Sequence, residues 1–193
     1  MVVWYAYHDQ EHVGAGLALS RYSKERNRWS TSQNIICKSD YSRGNPVLFQ
    51  GADSKVWLLY VVLKGKYWDN ALLEAVWSED EGETWSQPIP LGKEPGLMVR
   101  HPPVILENQS LLLPAYDEKT RQTVLMTSPP PYNNWTETYR FSDLELIQPV
   151  LVRENSDRLS LFFRPCDSPR LIWRSHSSDN GKSWTIPMRT SLP

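Results

Sequence analysis

The sequence predicts an all-β protein made of short antiparallel strands, and three observations support this fold class. Nine tryptophans and nine tyrosines accompany 15 prolines and nine glycines in 193 residues, a balance typical of many strands joined by turns. Segments 55–63 and 122–126 are rich in β-branched and aromatic residues and lack a helical period. An eight-residue motif occurs twice, which indicates a repeated structural unit.

The repeated motif reads Ser-x-Asp-x-Gly-x-Thr-Trp, with Ser for Thr in the second copy, and it predicts a tight surface turn. Glycine tolerates positive φ, and the Asp and Ser side chains can bond to the turn backbone. The closing Trp carries its ring back under the strands. We therefore interpret the motif residues as structural. They are Ser78, Asp80, Gly82, Thr84 and Trp85 in the first copy, and Ser177, Asp179, Gly181, Ser183 and Trp184 in the second.

Tryptophans at similar intervals indicate that the repeat unit containing this turn occurs four times. Trp29, Trp85, Trp135 and Trp184 are 56, 50 and 49 residues apart. The octets that precede Trp29 and Trp135 are degenerate, and the latter runs through three prolines. The first unit, 1–36, lacks an opening strand. The other three units cover 46–90, 102–140 and 149–190.

A polar residue followed by proline opens each of these three complete units, because proline at the start of a strand costs no ladder hydrogen bond. These pairs are Asn45-Pro46, His101-Pro102 and Gln148-Pro149. In the unit 46–90 the next strands are expected at 56–62 and 71–77, followed by the octet and a fourth strand from Trp85. A similar strand is expected after Trp29, Trp135 and Trp184. Four strands per period of roughly 40–50 residues is typical of a propeller blade. An offset of 14 residues from the proline predicts equivalent positions for Tyr60, Tyr116 and Phe163.

Composition bears on several other classes of protein. The net charge of −1, with scattered Lys and Arg, argues against nucleic acid or an anionic membrane as a partner. No apolar run reaches the roughly 20 residues of a membrane span, and the N-terminus lacks the features of a signal peptide, so the cytoplasm is the default expectation. Cys37 and Cys166 are expected to be buried thiols, and His8 and His12 do not predict a metal pair. No metal or cofactor is predicted.

The octets match the Asp-box of the sialidase superfamily, also called the BNR repeat. The run Gly44-Asn45-Pro46-Val47-Leu48-Phe49, the Trp-Ser/Thr-x-Pro steps and Ile147-Gln148-Pro149 also resemble the BNR-repeat group of predicted neuraminidases. The resemblance covers nearly the whole chain. It implies a six-bladed β-propeller, of which residues 1–193 would form one partial domain of about four blades. It also implies that the Asp-boxes lie on the face away from the active site.

The resemblance implies a substrate site built from arginines. In sialidases three arginines hold the substrate carboxylate, and one of them lies in an Arg-Ile-Pro motif. No Arg-Ile-Pro occurs in this chain, and the polar residues at the three Pro positions suit hydroxyl groups better than a carboxylate. An aromatic ring in the loop 64–70 is a further candidate, for stacking on a sugar. The candidate binding residues are Arg43, Asn45, Tyr60, Trp68, Arg100, His101, Gln148 and Arg164.

The resemblance also implies an Asp as acid/base and a Tyr–Glu pair as nucleophile. Asp117 and Tyr116 lie at the predicted end of a second strand, and Asp117 is either a general acid or a plain turn residue. A glycosidase needs two carboxyl groups across the scissile bond, and Asp69 or Glu74 would be the second one.

Three functions follow as hypotheses. The first is a sialidase-like glycoside hydrolase, or a large part of one, that acts on a glycan. The second is a non-catalytic propeller module that binds carbohydrate or protein, and the third is an inactive truncated product. An open arc of four blades would expose the faces of its end blades, so we expect a homo-oligomer that completes the ring.

Overall fold

The computed structural model describes residues 1–6, 15–35 and 41–193, and within these ranges the chain is all-β. Every strand pair there is antiparallel, so the predicted fold class is confirmed. The helical structure described is a single 3-10 turn, Trp68–Asn70. No described helix has the length and apolar character that a membrane crossing requires. His8, His12 and Cys37 lie outside the described residues.

Sheet 1 is formed by the N-terminal part of the chain. Its three described strands pair in the order β1-β2-β5, and a separate hairpin of β3 and β4 lies between β2 and β5 in the chain. The hairpin stands where the first octet is degenerate, and its second strand ends at Trp29. The strands are β1 (Val2–Ala6), β2 (Gly16–Ser20), β3 (Tyr22–Ser23), β4 (Arg28–Trp29) and β5 (Gln33–Ile35).

Sheet 2 has four strands in chain order. They are β6 (Ser42–Gln50), β7 (Val56–Leu63), β8 (Ala71–Ser78) and β9 (Ile89–Pro90). The second and third strands lie where the sequence predicts them. The fourth strand starts at Ile89 rather than at Trp85, because Pro88 directly before it has no N–H to donate to a longer ladder.

Sheet 3 has an interrupted first strand. Both β10 and β11 pair with β12, while residues 100–103 between them make no ladder pairs. The strands are β10 (Leu97–Val99), β11 (Val104–Ile105), β12 (Leu111–Asp117), β13 (Gln122–Ser128) and β14 (Thr136–Arg140). Here the fourth strand begins directly after Trp135, as predicted.

Sheet 4 again has four strands in chain order. They are β15 (Leu146–Arg153), β16 (Leu159–Pro165), β17 (Trp173–Ser177) and β18 (Met188–Arg189). Its last strand also starts later than predicted, after Pro187. Cys166, directly after β16, is half-buried rather than buried, and its burial raises the pKa of its thiol.

Three apolar clusters lie between the four sheets, one between each neighbouring pair. One joins sheets 1 and 2 through Leu17 and Leu58, one joins sheets 2 and 3, and one joins sheets 3 and 4. Strand β12 shows the cause, since successive side chains on a strand point to opposite faces. Leu113 packs in the cluster with sheet 2, and Leu112 packs in the cluster with sheet 4. Sheets 2 and 3 are therefore buried on both faces. The four sheets stack in chain order.

The first strands of sheets 2 and 4 carry a bulge at the polar residue before proline. The register shifts between Gly44 and Val47 in β6, and between Ile147 and Val150 in β15. At the bulges Asn45 has φ +46° and Gln148 has φ +51°. A bulge takes a residue out of the ladder and re-aims its side chain, so these polar groups are free for contacts with other sheets.

The predicted equivalence of Tyr60 and Tyr116 is wrong in register. Leu48, two residues after Pro46, pairs with Leu58, so Tyr60 lies two positions beyond its strand partner. Val104, two residues after Pro102, pairs with Leu112, so Tyr116 lies four positions beyond. The difference lies in the hairpin, because Leu48 and Leu58 are 10 residues apart in the chain whereas Val104 and Leu112 are 8 apart.

Candidate functional site

The polar-Pro residues and the octet turns lie at opposite edges of the sheets. In an up-and-down sheet the start of the first strand and the end of the second strand share one edge. The octet follows the third strand and therefore lies at the other edge. We call the border of the sheets where the first strand starts and the second strand ends the inner-strand edge. It carries the bulges at Asn45 and Gln148.

Asn45 is held in one orientation by Tyr5 of sheet 1. The backbone N–H of Asn45 donates to the Tyr5 hydroxyl at 2.8 Å, and that hydroxyl donates to Asn45 Oδ1 at 2.6 Å. The hydroxyl thus uses its hydrogen on the amide oxygen, which turns Nδ2 away from Tyr5. Asn45 is 6% exposed, and its Nδ2 has no hydrogen-bond acceptor among the described residues.

A cavity of about 320 Å³ lies next to this amide. Its described lining comes from three sheets: Tyr5 and its neighbours from sheet 1, Asn45 and Pro46 from sheet 2, and Arg100 from the interrupted strand of sheet 3. None of the described lining residues is acidic. The complete lining among the described residues is Val3, Trp4, Tyr5, Asn45, Pro46 and Arg100.

Trp68 approaches the same region from the loop between β7 and β8. A Cβ built on Gly44 would lie 3.3 Å from Cε1 of Tyr5 and 3.5 Å from Cζ3 of Trp68, so the two rings flank this glycine. Trp68 remains 46% exposed. Asp69, next to it, accepts a hydrogen bond from Nδ2 of Asn70 at 2.7 Å. The aromatic candidate of the loop therefore lies beside Tyr5, whereas Asp69 is engaged within the loop.

A second polar group lies between sheets 3 and 4. Tyr116 is fully buried, and burial raises the pKa of its hydroxyl, an effect that the nearby Arg100 and Gln148 oppose. Arg164 donates from Nη1 to Oε1 of Gln148 at 3.2 Å. Arg100 thus takes part in this group and also lines the cavity at Asn45. Arg100 stands two residues before Pro102, which is the Arg-to-Pro spacing of the Arg-Ile-Pro motif.

His101 is half-buried in the interruption of sheet 3. Its Nδ1 lies 3.0 Å from the carbonyl oxygen of Pro102. A carbonyl accepts only, so Nδ1 carries the proton in this contact, and Nε2 is the acceptor of the neutral ring.

Tyr60 and Glu74 form a pair on adjacent strands of sheet 2. The Tyr60 hydroxyl donates to Oε2 of Glu74 at 2.9 Å, and Tyr60 is fully buried. Burial, and then the neighbouring Glu74 charge, raise the pKa of Tyr60 far above its ordinary value. A buried phenol with a raised pKa is neutral and shielded, so this pair does not supply an accessible nucleophile.

Asp117 lies at the end of β12, in the turn to β13. It forms an ion pair with Arg140 at 3.2 Å and accepts the backbone N–H of Lys119 at 2.9 Å. The same carboxylate lines a different cavity between sheets 2 and 3, together with Glu137 and Arg140. Neither Asp69 nor Glu74 is among the residues of that cavity, so the proposed carboxyl pairs have different surroundings.

In each of the two octets the Asp side chain accepts hydrogen bonds from residues of the same turn. In the first, Asp80 Oδ1 accepts the Thr84 N–H at 2.8 Å and Asp80 Oδ2 accepts the Thr84 hydroxyl at 2.6 Å, while Ser78 Oγ accepts the Gly82 N–H at 2.6 Å. These hydrogen bonds lower the pKa of Asp80 to about 2.

The second octet repeats this pattern. Ser183 donates both its N–H and its hydroxyl to Asp179, at 2.9 and 2.5 Å, and Gly181 donates to Ser177 Oγ at 2.8 Å. The hydrogen bonds from Ser183 likewise lower the pKa of Asp179. Trp184 closes the turn by donating from Nε1 to the Gly181 carbonyl at 3.2 Å.

Sequence analysis did not identify Trp4 and Tyr5 as functional residues. The first unit has no polar-Pro pair, so there was no proline from which to count an offset. The available signal was an aromatic pair in an apolar N-terminal strand, with both residues still 39% exposed. No three His, Cys, Asp or Glu side chains of the described ranges come together as a metal site.

Comparison with known proteins assigns the chain to a family. Residues 1–193 match the family of BNR repeat-like domains, and the chain belongs to that family. A search of curated proteins finds no match. The sialidase-superfamily relation expected from the octets is confirmed by this match and by solved sialidase structures of the same fold.

Three solved structures illustrate the likeness. The NanB sialidase of Streptococcus pneumoniae aligns with a TM-score of 0.75 at 11% identity, over 95% of this chain and 48% of that one. The intramolecular trans-sialidase of Ruminococcus gnavus gives 0.72 at 13%, over 95% and 65%. An exo-β-1,3-galactanase of Clostridium thermocellum gives 0.69 at 14%, over 97% and 45%. This chain therefore spans 45–65% of the length of these proteins, and the likeness is one of fold.

Proposed function

We propose that the chain is the glycan-binding part of a sialidase-like glycoside hydrolase. The observation that carries this proposal is the cavity at the inner-strand edge, to which Tyr5, Asn45 and Arg100 come from three successive sheets. Exposed aromatic rings, an amide donor and a guanidinium are the groups that bind sugars through stacking and directed hydrogen bonds. Gln148 and Arg164 extend this polar edge toward sheet 4.

The contacts of the candidate carboxylates favour glycan binding, rather than catalysis, as the function of this chain on its own. The candidate acid Asp117 is paired with Arg140, and the candidate partner Glu74 is paired with Tyr60. A glycosidase needs two carboxyl groups that face one glycosidic bond. The galactanase among the structural neighbours shares this fold without being a sialidase by name, so the fold itself does not define the sugar.

A binding and hydrolysis panel tests this function. We expect the chain to bind one or more glycans on an array and to leave a panel of aryl glycosides, sialoside included, uncleaved. Arg100→Ala and Arg164→Ala should each weaken glycan binding by about tenfold, because a charge-assisted hydrogen bond is worth about 1.5–3 kcal/mol. Arg28→Ala, on the β3–β4 hairpin, is the charge-matched control.

Two results would contradict the proposal. If the chain binds no glycan, the non-catalytic protein-binding module or the inactive product is the better reading. If the chain hydrolyses an aryl glycoside, and Asp117→Asn abolishes this activity with the fold intact, then Asp117 is catalytic and our proposal of a binding function alone is wrong.

The proposed architecture is a single partial propeller in which the four sheets are blades and the octets are Asp-box turns. The outer face of sheet 4 still exposes Val150, Val152 and Met188, at 38%, 41% and 72%. Such an apolar face favours self-association, so we propose a homo-oligomer that covers the open ends. A monodisperse monomer in light scattering at tens of micromolar would contradict it.

A further inference from the structure

We propose that the cavity beside Asn45 is a subsite for a single carboxylate-bearing hexose, of the hexuronic acid class. This inference rests on the proposed glycan-binding function and specifies its ligand. It makes Asn45 the residue that determines specificity and Tyr5 the residue that positions it.

The Asn45 amide is a directed donor. Because the Tyr5 hydroxyl accepts the Asn45 N–H, its hydrogen is available for Oδ1 of the same residue. A flipped amide would turn two donor hydrogens toward the phenol and leave the phenolic hydrogen without this acceptor. Nδ2 therefore points away from Tyr5, in a residue that lines the cavity and is 6% exposed, and no described group accepts its hydrogens. A buried donor without an acceptor costs about 1–3 kcal/mol, so an acceptor on a ligand is strongly favoured.

Charge in the cavity selects the type of acceptor. Arg100 is the one charged residue among its described lining, and the other side chains there are apolar, aromatic or amide. A guanidinium presents only donors and stays positively charged, so it favours an anionic acceptor over a neutral hydroxyl. The polar-Pro residues alone suggest hydroxyl recognition, whereas Arg100, also a candidate binding residue from the sequence, brings a positive charge from the neighbouring sheet.

The size of the cavity and the number of cations limit the sugar. A volume of about 320 Å³ is at the lower end of the range of ligand sites, which fits one pyranose ring. Arg164 is engaged with Gln148, and Arg43 donates to the Tyr41 carbonyl at 2.5 Å, so the three candidate arginines do not converge here. One arginine and one amide are enough for the single carboxylate of a sugar acid, and the small volume favours a six-carbon acid over a bulkier nine-carbon acid. Val3, Trp4 and Tyr5 supply an apolar and aromatic part of the lining for the sugar.

Ligand-observed NMR and calorimetry with the full chain test the subsite. The probes are the methyl glycosides of glucuronic acid and galacturonic acid, methyl glucoside as the neutral sugar, and a sialoside. We expect a uronate to bind at least about tenfold more tightly than methyl glucoside, with weaker binding at higher salt. Asn45→Asp keeps the shape but replaces the donor by a negative charge, and Tyr5→Phe releases the amide; each should weaken uronate binding by about tenfold or more. Tyr22→Phe, on the β3–β4 hairpin, is the matched control and should bind as the unmodified chain does.

The outcomes separate this inference from the proposed function. Equal or tighter binding of methyl glucoside or the sialoside, or unchanged uronate binding in both Asn45→Asp and Tyr5→Phe, would overturn the subsite. If other glycans bind and lose affinity in Arg164→Ala while no uronate binds, the subsite fails and the proposed function stands. If no glycan binds at all, both fail. Circular dichroism of each variant checks that its fold is intact.

Discussion

The turn at residues 128–135 and the octet turn at residues 78–85 both follow the third strand of their sheets, but with different chemistry. Both begin with Ser and end with Trp, and both have positive φ at the fifth position, where Tyr132 takes the place of Gly82. In the octet a carboxylate gathers the turn donors, whereas in the proline turn Ser128 donates to the Asn134 carbonyl at 2.8 Å. A turn that connects the third and fourth strands without the Asp shows that this carboxylate is one solution to a structural problem.

The two turns also differ in how they are anchored. Tyr132 is fully buried, donates from its hydroxyl to the Gln109 carbonyl at 2.8 Å, and packs edge-on against Trp57 of sheet 2 at 5.9 Å. The octet instead is held from outside by Arg21 of sheet 1, which donates to the carbonyls of Glu81 and Gly82. The proline turn therefore depends on burial, and the octet depends on polar bonds.

The largest expected effect is at Tyr132. Tyr132→Ala removes a buried ring and leaves a cavity between sheets 2 and 3, so we expect a loss of about 3–5 kcal/mol in the free energy of unfolding. Tyr132→Phe removes only the hydrogen bond to Gln109 and should cost about 1 kcal/mol. Urea unfolding of both variants measures the difference. Equal losses would show that the hydroxyl, rather than the ring, anchors this turn.

The glycines of the two octets should respond unequally to alanine. Both have positive φ, +83° at Gly82 and +89° at Gly181. A Cβ at Gly181 would lie 2.8 Å from Cδ2 of Leu112 in the core between sheets 3 and 4, whereas at Gly82 it would meet the flexible end of Met1 at 3.1 Å. We expect Gly181→Ala to cost about 1–3 kcal/mol, and Gly82→Ala to cost less. The reverse order in thermal unfolding would contradict this difference in packing.

The closing tryptophans give a smaller difference. Nε1 of Trp135 donates to the Tyr132 carbonyl at 3.0 Å, while the corresponding Gly82 carbonyl accepts from Arg21 and Nε1 of Trp85 has no described acceptor. Trp135→Phe should therefore destabilise the chain by about 1 kcal/mol more than Trp85→Phe does. Chemical denaturation of the pair measures it, and a larger loss for Trp85→Phe would mean that its indole nitrogen has a partner in solution.

The strands and turns were predictable because their signals are local. The strand at 56–62 follows from β-branched and aromatic residues within one window, and the strand at 71–77 follows from its place directly before the octet. The inner-strand edge was predictable only in part, since the bulges at Asn45 and Gln148 coincide with polar-Pro pairs. What the sequence did not reveal depends on distant contacts: Tyr5 holds Asn45 across 40 residues, and Arg140 holds Asp117 across 23.

The smallest expected effect is the pH dependence of the octets, which separates them from the proline turn most directly. Hydrogen bonds from Thr84, and then Ser78, lower the pKa of Asp80 from its ordinary value of 3.8 to about 2, and Asp179 is shifted in the same direction. A carboxyl with a lower pKa in the folded state stabilises the fold above its unfolded pKa. This contribution should be complete above about pH 4 and lost as the pH falls toward 2. Both carboxylates lie near solvent, so the effect should also be modest.

Thermal unfolding between pH 5 and pH 2 tests this dependence. The double variant Asp80→Asn, Asp179→Asn should be less stable at pH 5 and should lose less stability on acidification than the unmodified chain. Asp143→Asn, which changes one charge on an exposed loop, is the charge control. The turn at 128–135 has no carboxylate, so an acid-induced loss that persists undiminished in the double variant would place its cause outside the octets. In that case the hydrogen bonds of Asp80 and Asp179 would make no measurable contribution to the pH dependence of the stability of the fold.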